Sequence, residues 1–427
     1  MKKILLSLFI LGGIMSAANL KTITISGVEI PVIYEHSTLI PTGNIELLFS
    51  RSGSAYTGEK QGLASLSSAL LNEGTKELGA TKFADLLEQD AITLHAYSTK
   101  EFLEISLSFL KEKQAQSLKL LGDLLKSPNL TKNTLEKLQK QTISSILANE
   151  SNFDYLANLG LSQILFANTP LQYPAIGTIP SVKSITLDQI KEHLSSSLSL
   201  KRLSIIIGGD MDIDSTLQEL SNILSTLPIG NKPALTAYQA NSTTQTKTQY
   251  KPTEQAYIYF GTPFHLKNYK EEAHKAKVMS FILGASGFGS RMMETIRVKH
   301  GLAYSAYMRI NLSPLANYAT GYMQTKISNQ TQSIQLVREI IEEFVKNGAT
   351  QEELDGAKNF LLGSEPLRNE TLSQRLDSAF ANYNRGLELD YNKIELQKIQ
   401  DLTLKELNDY IKSHKEILEL SFSIITE

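Results

Sequence analysis

The stretch SLKLLGDLLKSPNLTKNTLEKLQKQTISSIL at 117–147 has a counterpart, SIQLVREIIEEFVKNGATQEELDGAKNFLLG, at 333–363. Each reads as two amphipathic helices joined by a short polar loop, with apolar residues recurring at three- and four-residue intervals. Thr131 stands where the N-cap of the second helix belongs. The two copies lie too far apart for a solenoid, so the chain reads as two homologous domains.

The residues around each copy repeat the same order. Upstream of the first, Ile92 to Phe109 alternates as two strands; upstream of the second, Ala303 to Leu312 and Ala319 to Thr325 do so. Further out lie a hairpin-like run from Lys21 to Tyr34 about Gly27, a strand at 45–50, and a helix from Gln61 to Glu73 stopped by Gly74. The second half offers a strand at 256–260, a helix at 271–283, a glycine-rich turn and a helix at 291–299, and it closes on a strand at 418–425. Strand runs interleaved with helical pairs predict an α+β fold, with mixed, mainly antiparallel sheet flanked by helices in each domain. Residues 231–254, rich in Ser, Thr, Gln, Lys and Ala, read as a linker between domains at 19–230 and 255–427.

Composition narrows the function. A 427-residue chain with 41% hydrophobic and 20% charged residues is globular in character and suits about two domains. Lys+Arg 42 against Asp+Glu 44 leaves no cationic excess for nucleic acid. With no cysteine there is no disulfide, thiolate nucleophile or cysteine zinc ligand. At the start, Lys2 and Lys3 precede an apolar run from Ile4 to Met15 and the small residues Ser16, Ala17 and Ala18. Those parts predict a signal peptide over 1–18 and a periplasmic product, the run being too short to span a membrane.

The anchors GSAYTGEKQGLASLSSALLNEGTKE (53–77), HAYSTKEF (95–102), YPAIGT (173–178), GGDMD (208–212) and LGASGFGSRMMETIRVKHGLAYS (283–305) follow one another in an order that resembles the pitrilysin, or insulinase-like, family of zinc metallopeptidases. That family includes the mitochondrial processing peptidases. The resemblance spans the whole mature chain and implies two facing domains around a peptide-sized chamber.

Active members carry H-x-x-E-H on the helix after the GLA tripeptide, two histidines binding zinc and the glutamate acting as base. On that motif Ser65 and Ala69 take the histidine places and Ser68 the base. Ser145 falls nearest the downstream glutamate ligand. Neutral serine hydroxyls are poor zinc ligands and no base near neutral pH, and a methyl cannot coordinate at all, so the resemblance implies a chain with no zinc site of its own.

Arg297 and Tyr304, in RVKHGLAY, match the family's substrate-gripping pair in type and spacing. The resemblance gives them peptide carbonyl and oxyanion binding. They would act in trans, in the zinc site of a homologous partner. His95, Ala96 and Tyr97 fall on the strand that lines the substrate groove in relatives, where an extended peptide could add as a further strand. His95 departs from the usual residue there. GASGFG at 284–289 matches neither a dinucleotide nor a nucleophile-elbow pattern. Of the seven histidines, only His274 has helical ligand spacing to an acid, Glu271, and the pair reads as a solvated charged face.

The expected function is therefore a zinc-free subunit of a heterodimeric metallopeptidase that binds extended peptides, with zinc in the partner. The alternative is a peptide-binding or scaffold protein without proteolysis.

Overall fold

The computed structural model describes residues 18–427, so the signal-like start lies outside the described residues apart from Ala18. The first sheet contains β1 (Asn19–Ile25), β2 (Val28–His36), β3 (Thr42–Ser50), β4 (Thr93–Ser98), β5 (Phe102–Leu110) and β6 (Leu203–Gly209), in the order β1-β2-β6-β3-β5-β4. Among these only β2 and β6 run parallel.

The second sheet contains β7 (Tyr238–Gln239), β8 (Thr246–Tyr250), β9 (Gln255–Pro263), β10 (Ala303–Leu312), β11 (Ala316–Lys326) and β12 (Ser421–Thr426). Its order is β10-β11-β9-β12-β8, with β7 beside β11. Starting from β8, the neighbours are parallel, then antiparallel three times, as they are from β2 through β6, β3, β5 and β4. The two halves are copies of one α+β unit.

The repeated helices sit where this correspondence requires. After β5 a 3-10 turn at Lys111–Lys113 leads into α2 (Gln114–Lys126) and α3 (Lys132–Asn149). α1 (Leu63–Leu71) lies earlier, between β3 and β4. After β11 a 3-10 turn at Ile327–Asn329 leads into α6 (Gln330–Asn347) and α7 (Gln351–Gly363). The Thr131 hydroxyl accepts from the Thr134 amide, as an N-cap should, and Thr350 forms a capping box with Glu353.

Residues 231–254 differ from the expected linker by containing β7 and β8. β8, TKTQY, is an edge strand that among the described residues pairs only with β12 and is mostly exposed, so it carries no apolar alternation for a sequence reading to detect.

Each half also lends a helix to the other. α4 (Phe153–Leu165) leaves the first half and packs on β9 and β12, with Leu161 and Leu165 over Gly261. Gly160 lies so close to Ser423 that a Cβ there would stand 2.2 Å from the hydroxyl. α5 (Tyr269–Ser280) stays with the second sheet, but α8 (Leu372–Asn384) crosses back and packs on β2 and β6. There Leu376 and Ala379 join Ile33, Leu48 and Ile206 in a small core of their own. Beside it Arg375 grips the buried Glu35 carboxylate, with Nη2 at 2.7 Å from Oε1. Among the described residues no helix is long and apolar enough to cross a membrane.

Candidate functional site

α1 follows from LASLSSALL, whose leucines pack into the first core. Ser68 is buried, and its hydroxyl turns back to the Ser65 carbonyl at 3.0 Å. Ser65 and Ala69 are half-buried. Ser145 is exposed on α3, its hydroxyl bonded to the Gln141 carbonyl. The family's zinc positions thus hold three serines and a methyl, with the Ser68 and Ser145 hydroxyls bonded to helix carbonyls, a donor set that does not fit zinc. Among the described residues no group of three or more His, Cys, Asp or Glu side chains is placed to hold a metal ion.

One turn further, Asn72 does what the sequence reading missed. Its side chain donates to the Ala96 carbonyl at 2.8 Å and accepts from the Ala96 amide at 2.7 Å. This double bond fixes α1 against β4, an edge strand, and uses one residue's pairing capacity that the sheet leaves free. Ala96 is buried toward α1, while His95 and Tyr97 are exposed on the other face with ring centroids 6.2 Å apart.

That face is acidic. Glu46 on β3, Glu104 on β5 and Asp377 on α8 influence one another there, and Tyr97 hydrogen-bonds Glu104. Burial first, then the Glu104 and Asp377 charges, push Glu46 up to about 7. Burial likewise raises Glu104 and Asp377 above the usual carboxylate range. The signal was present in IELLFS and FLEISL, where a lone glutamate interrupts an apolar strand.

In the second half the expected helices flanking the glycine-rich turn contain wider coils. α5 gives way to a π-helix at Phe281–Ala285, and another occupies Met293–Lys299. Such coils need one residue more per turn than apolar periodicity suggests, and they recur at functional sites. Arg291 anchors the start of the second coil. Its Nε and Nη2 donate to Glu353 at 2.6 and 2.8 Å, and Nη2 also reaches the Gly348 carbonyl at 2.8 Å.

At the far end the register of β10 against β11 shifts between Ala303 and Ala306, a bulge that turns Tyr304 outward at 82% exposure. The Arg297 guanidinium lies 4.5 Å from the Tyr304 ring centroid, so the structure brings this pair together. Phe288, from the glycine-rich turn, covers the guanidinium at 4.7 Å. An aromatic between two glycines, GFG, was the available clue to it.

The pair and the serine helix belong to different halves. β4 and β10 are edge strands of different sheets, and among the described residues no hydrogen bond or ion pair links Arg297 or Tyr304 to α1. Along β10 from Tyr304, the face under α4 carries a register row of Tyr307, Tyr322 and Tyr259, with centroids 5.7 and 4.8 Å apart. Burial, reinforced by Asp154 of α4, holds the Tyr259 and Tyr322 phenols protonated well above the ordinary tyrosine range. A cleft of about 290 Å³ opens beside this row, lined also by Asn158, Ser162 and, from the β4–β5 turn, Lys100.

His274 corrects the reading of a solvated face. It is buried at 7% exposure and Glu271 is exposed, because α5 turns the histidine toward the helix at Leu404–Ser413. Burial, with Lys275 and Lys398 adding to it, lowers its pKa to about 4.

Comparison with known proteins agrees with this architecture. Residues 32–179 match the profile described as "Insulinase (Peptidase family M16)", and residues 184–361 match "Peptidase M16 inactive domain". A Helicobacter pylori protein named "Non-peptidase homolog YmxG" is 49% identical over 429 aligned residues, covering 100% of this chain and 99% of the relative. The crystal structure of a peptidase M16 inactive domain from Pseudomonas fluorescens superposes with a TM-score of 0.85 at 24% identity, covering 96% of this chain and 98% of that one. A protease from Helicobacter pylori superposes at 0.80 with 16% identity, covering 96% and 100%. With both halves matched and so similar a relative over its full length, the chain belongs to the insulinase family, peptidase family M16, as a zinc-free member.

Proposed function

We propose that this chain is the zinc-free subunit of a heterodimeric, periplasmic peptidase and lends Arg297 and Tyr304 to the zinc site of a homologous partner. Extended peptides would bind in a chamber between the two chains, pairing with the free edge of β10 and with the β4 edge on either side of Ala96, whose own amide and carbonyl Asn72 engages. The asymmetry between the halves supports this reading. The helix that should hold metal has become a packed structural element, with Ser68 buried and Asn72 tied to Ala96. Of the gripping pair, on a braced coil and a bulged strand, Tyr304 is exposed and Arg297 half-buried, and among the described residues no hydrogen bond or ion pair engages the Arg297 guanidinium.

Such a pair serves by position and charge. The guanidinium edge binds a peptide carbonyl, and the phenol donates a hydrogen bond to the oxygen that becomes negative in the transition state. The test is to mix the chain with a homologue bearing H-x-x-E-H and follow cleavage of an internally quenched peptide. Cleavage should need both proteins and fall about 10²-fold with Arg297→Ala or Tyr304→Phe. Activity unchanged by either substitution refutes the proposal. It would favour the second reading, a peptide-binding or scaffold protein without proteolysis, which draws on the name of the 49%-identical relative.

A further inference from the structure

Resting on that reading and extending it, we infer that Phe288 is a positioning residue for Arg297, clasping the guanidinium against Tyr304 so that its N–H edge faces a peptide carbonyl. Phe288 is 67% exposed, so its ring contributes little to the core and needs another explanation. What it covers is the guanidinium, at 4.7 Å on one side, with Tyr304 4.5 Å away. Stacking uses the π-faces of a planar cation and leaves its in-plane donors for an acceptor.

The turn is built to present the ring. Gly287 and Gly289, on either side, have φ of +73° and +85°, values that side-chain-bearing residues adopt only with strain. Each is braced from the following coil. The Ser290 hydroxyl donates to the Gly287 carbonyl at 2.7 Å, and the Gly289 amide donates to Glu294 at 3.3 Å. Ser290 leads into the coil that carries Arg297 and Glu294 lies in its first turn, so the turn and the arginine are held as one piece. The guanidinium would otherwise swing on a flexible stem, losing side-chain entropy on binding that the clasp has already removed.

The chain has no tryptophan, so Phe288→Trp introduces a single indole at the clasp. Acrylamide should quench that indole more strongly once Arg297→Ala uncovers its face; equal quenching with and without Arg297 overturns the inference. In the mixture with the zinc-bearing homologue, Phe288→Leu should raise KM for the quenched peptide about 2- to 5-fold, and Phe288→Tyr should restore it. A mixture sensitive to Arg297→Ala but indifferent to Phe288→Leu overturns this inference alone. Indifference to Arg297→Ala refutes the subunit reading and, with it, any role for Phe288 in peptide binding, even where quenching shows the stack.

Discussion

Removing the Arg375 side chain should weaken the molecule more than removing any exposed cation. Arg375 sits on α8, which crosses to the first sheet, and Nε lies 3.0 and 3.1 Å from the two Glu35 oxygens, with Nη2 at 2.7 Å. Its Nη1 also donates to the Asn369 and Glu370 carbonyls, both at 3.0 Å. The Glu35 side chain is only 1% exposed, so Arg375→Ala leaves a carboxylate out of water without its counter-charge. That situation costs about 3–5 kcal/mol, roughly a thousandfold in the ratio of folded to unfolded chains.

The attraction itself is worth far less than its one-sided removal, because both groups lost hydration on folding. Glu35→Leu combined with Arg375→Met should therefore recover most of the loss. Lys111→Ala provides the comparison: its pair with Asp210 has a lysine 52% exposed and should be worth less than about 1 kcal/mol. Urea unfolding followed by circular dichroism, arranged as a double-mutant cycle, reads all of these. A loss below about 1 kcal/mol for Arg375→Ala, or a double variant as weak as the single one, refutes the reasoning.

Two further substitutions probe the first half. Glu46 has its folded pKa raised from 4.5 to about 7, so the folded state holds that proton more tightly than the unfolded state. The stability this contributes is complete below about pH 4.5 and is lost as pH rises through about 7. Glu46→Gln, which mimics the protonated acid, should gain on the parent chain across that window and then level off about 2 kcal/mol ahead, a figure reduced for the group's partial solvent contact. Urea midpoints at pH 5 and pH 8 measure it, and a gap that does not widen with pH contradicts the assignment. Asn72→Leu removes both bonds to Ala96 and leaves that amide and carbonyl unpaired beside α1. A loss of about 2–3 kcal/mol is expected, with faster hydrogen exchange along β4 than along β5; unchanged exchange at β4 would mean that the clamp is not what holds the strand.

What could be read in advance followed from local physics. The helical pairs at 117–147 and 333–363 announced themselves because each buries one apolar stripe, and that repeat carried the duplication with it. β8 was hidden because an exposed edge strand needs no apolar face. The exchange of α4 and α8 was hidden for a different reason: an amphipathic helix records that it is covered, not which sheet covers it. At the site, Arg297 and Tyr304 could be matched by spacing, whereas Phe288 met them only through the bulge and the π-turns, whose geometry leaves no periodic trace. Asn72 and the Glu46–Glu104–Asp377 group depend on contacts between elements far apart in the chain, one strand to one helix and one sheet to a helix from the other half.

The crossed helices change what a half of this molecule can be. A polypeptide ending near residue 230 would expose the leucines of α4 that now cover β9 and β12, and its own sheet would stand bare where α8 belongs. Neither half is a self-sufficient body, so cleavage of the peptide between them should leave two fragments that stay together. A gene encoding only one copy of such a unit could produce a dry, closed particle only by pairing with a second copy, each wearing the other's helix.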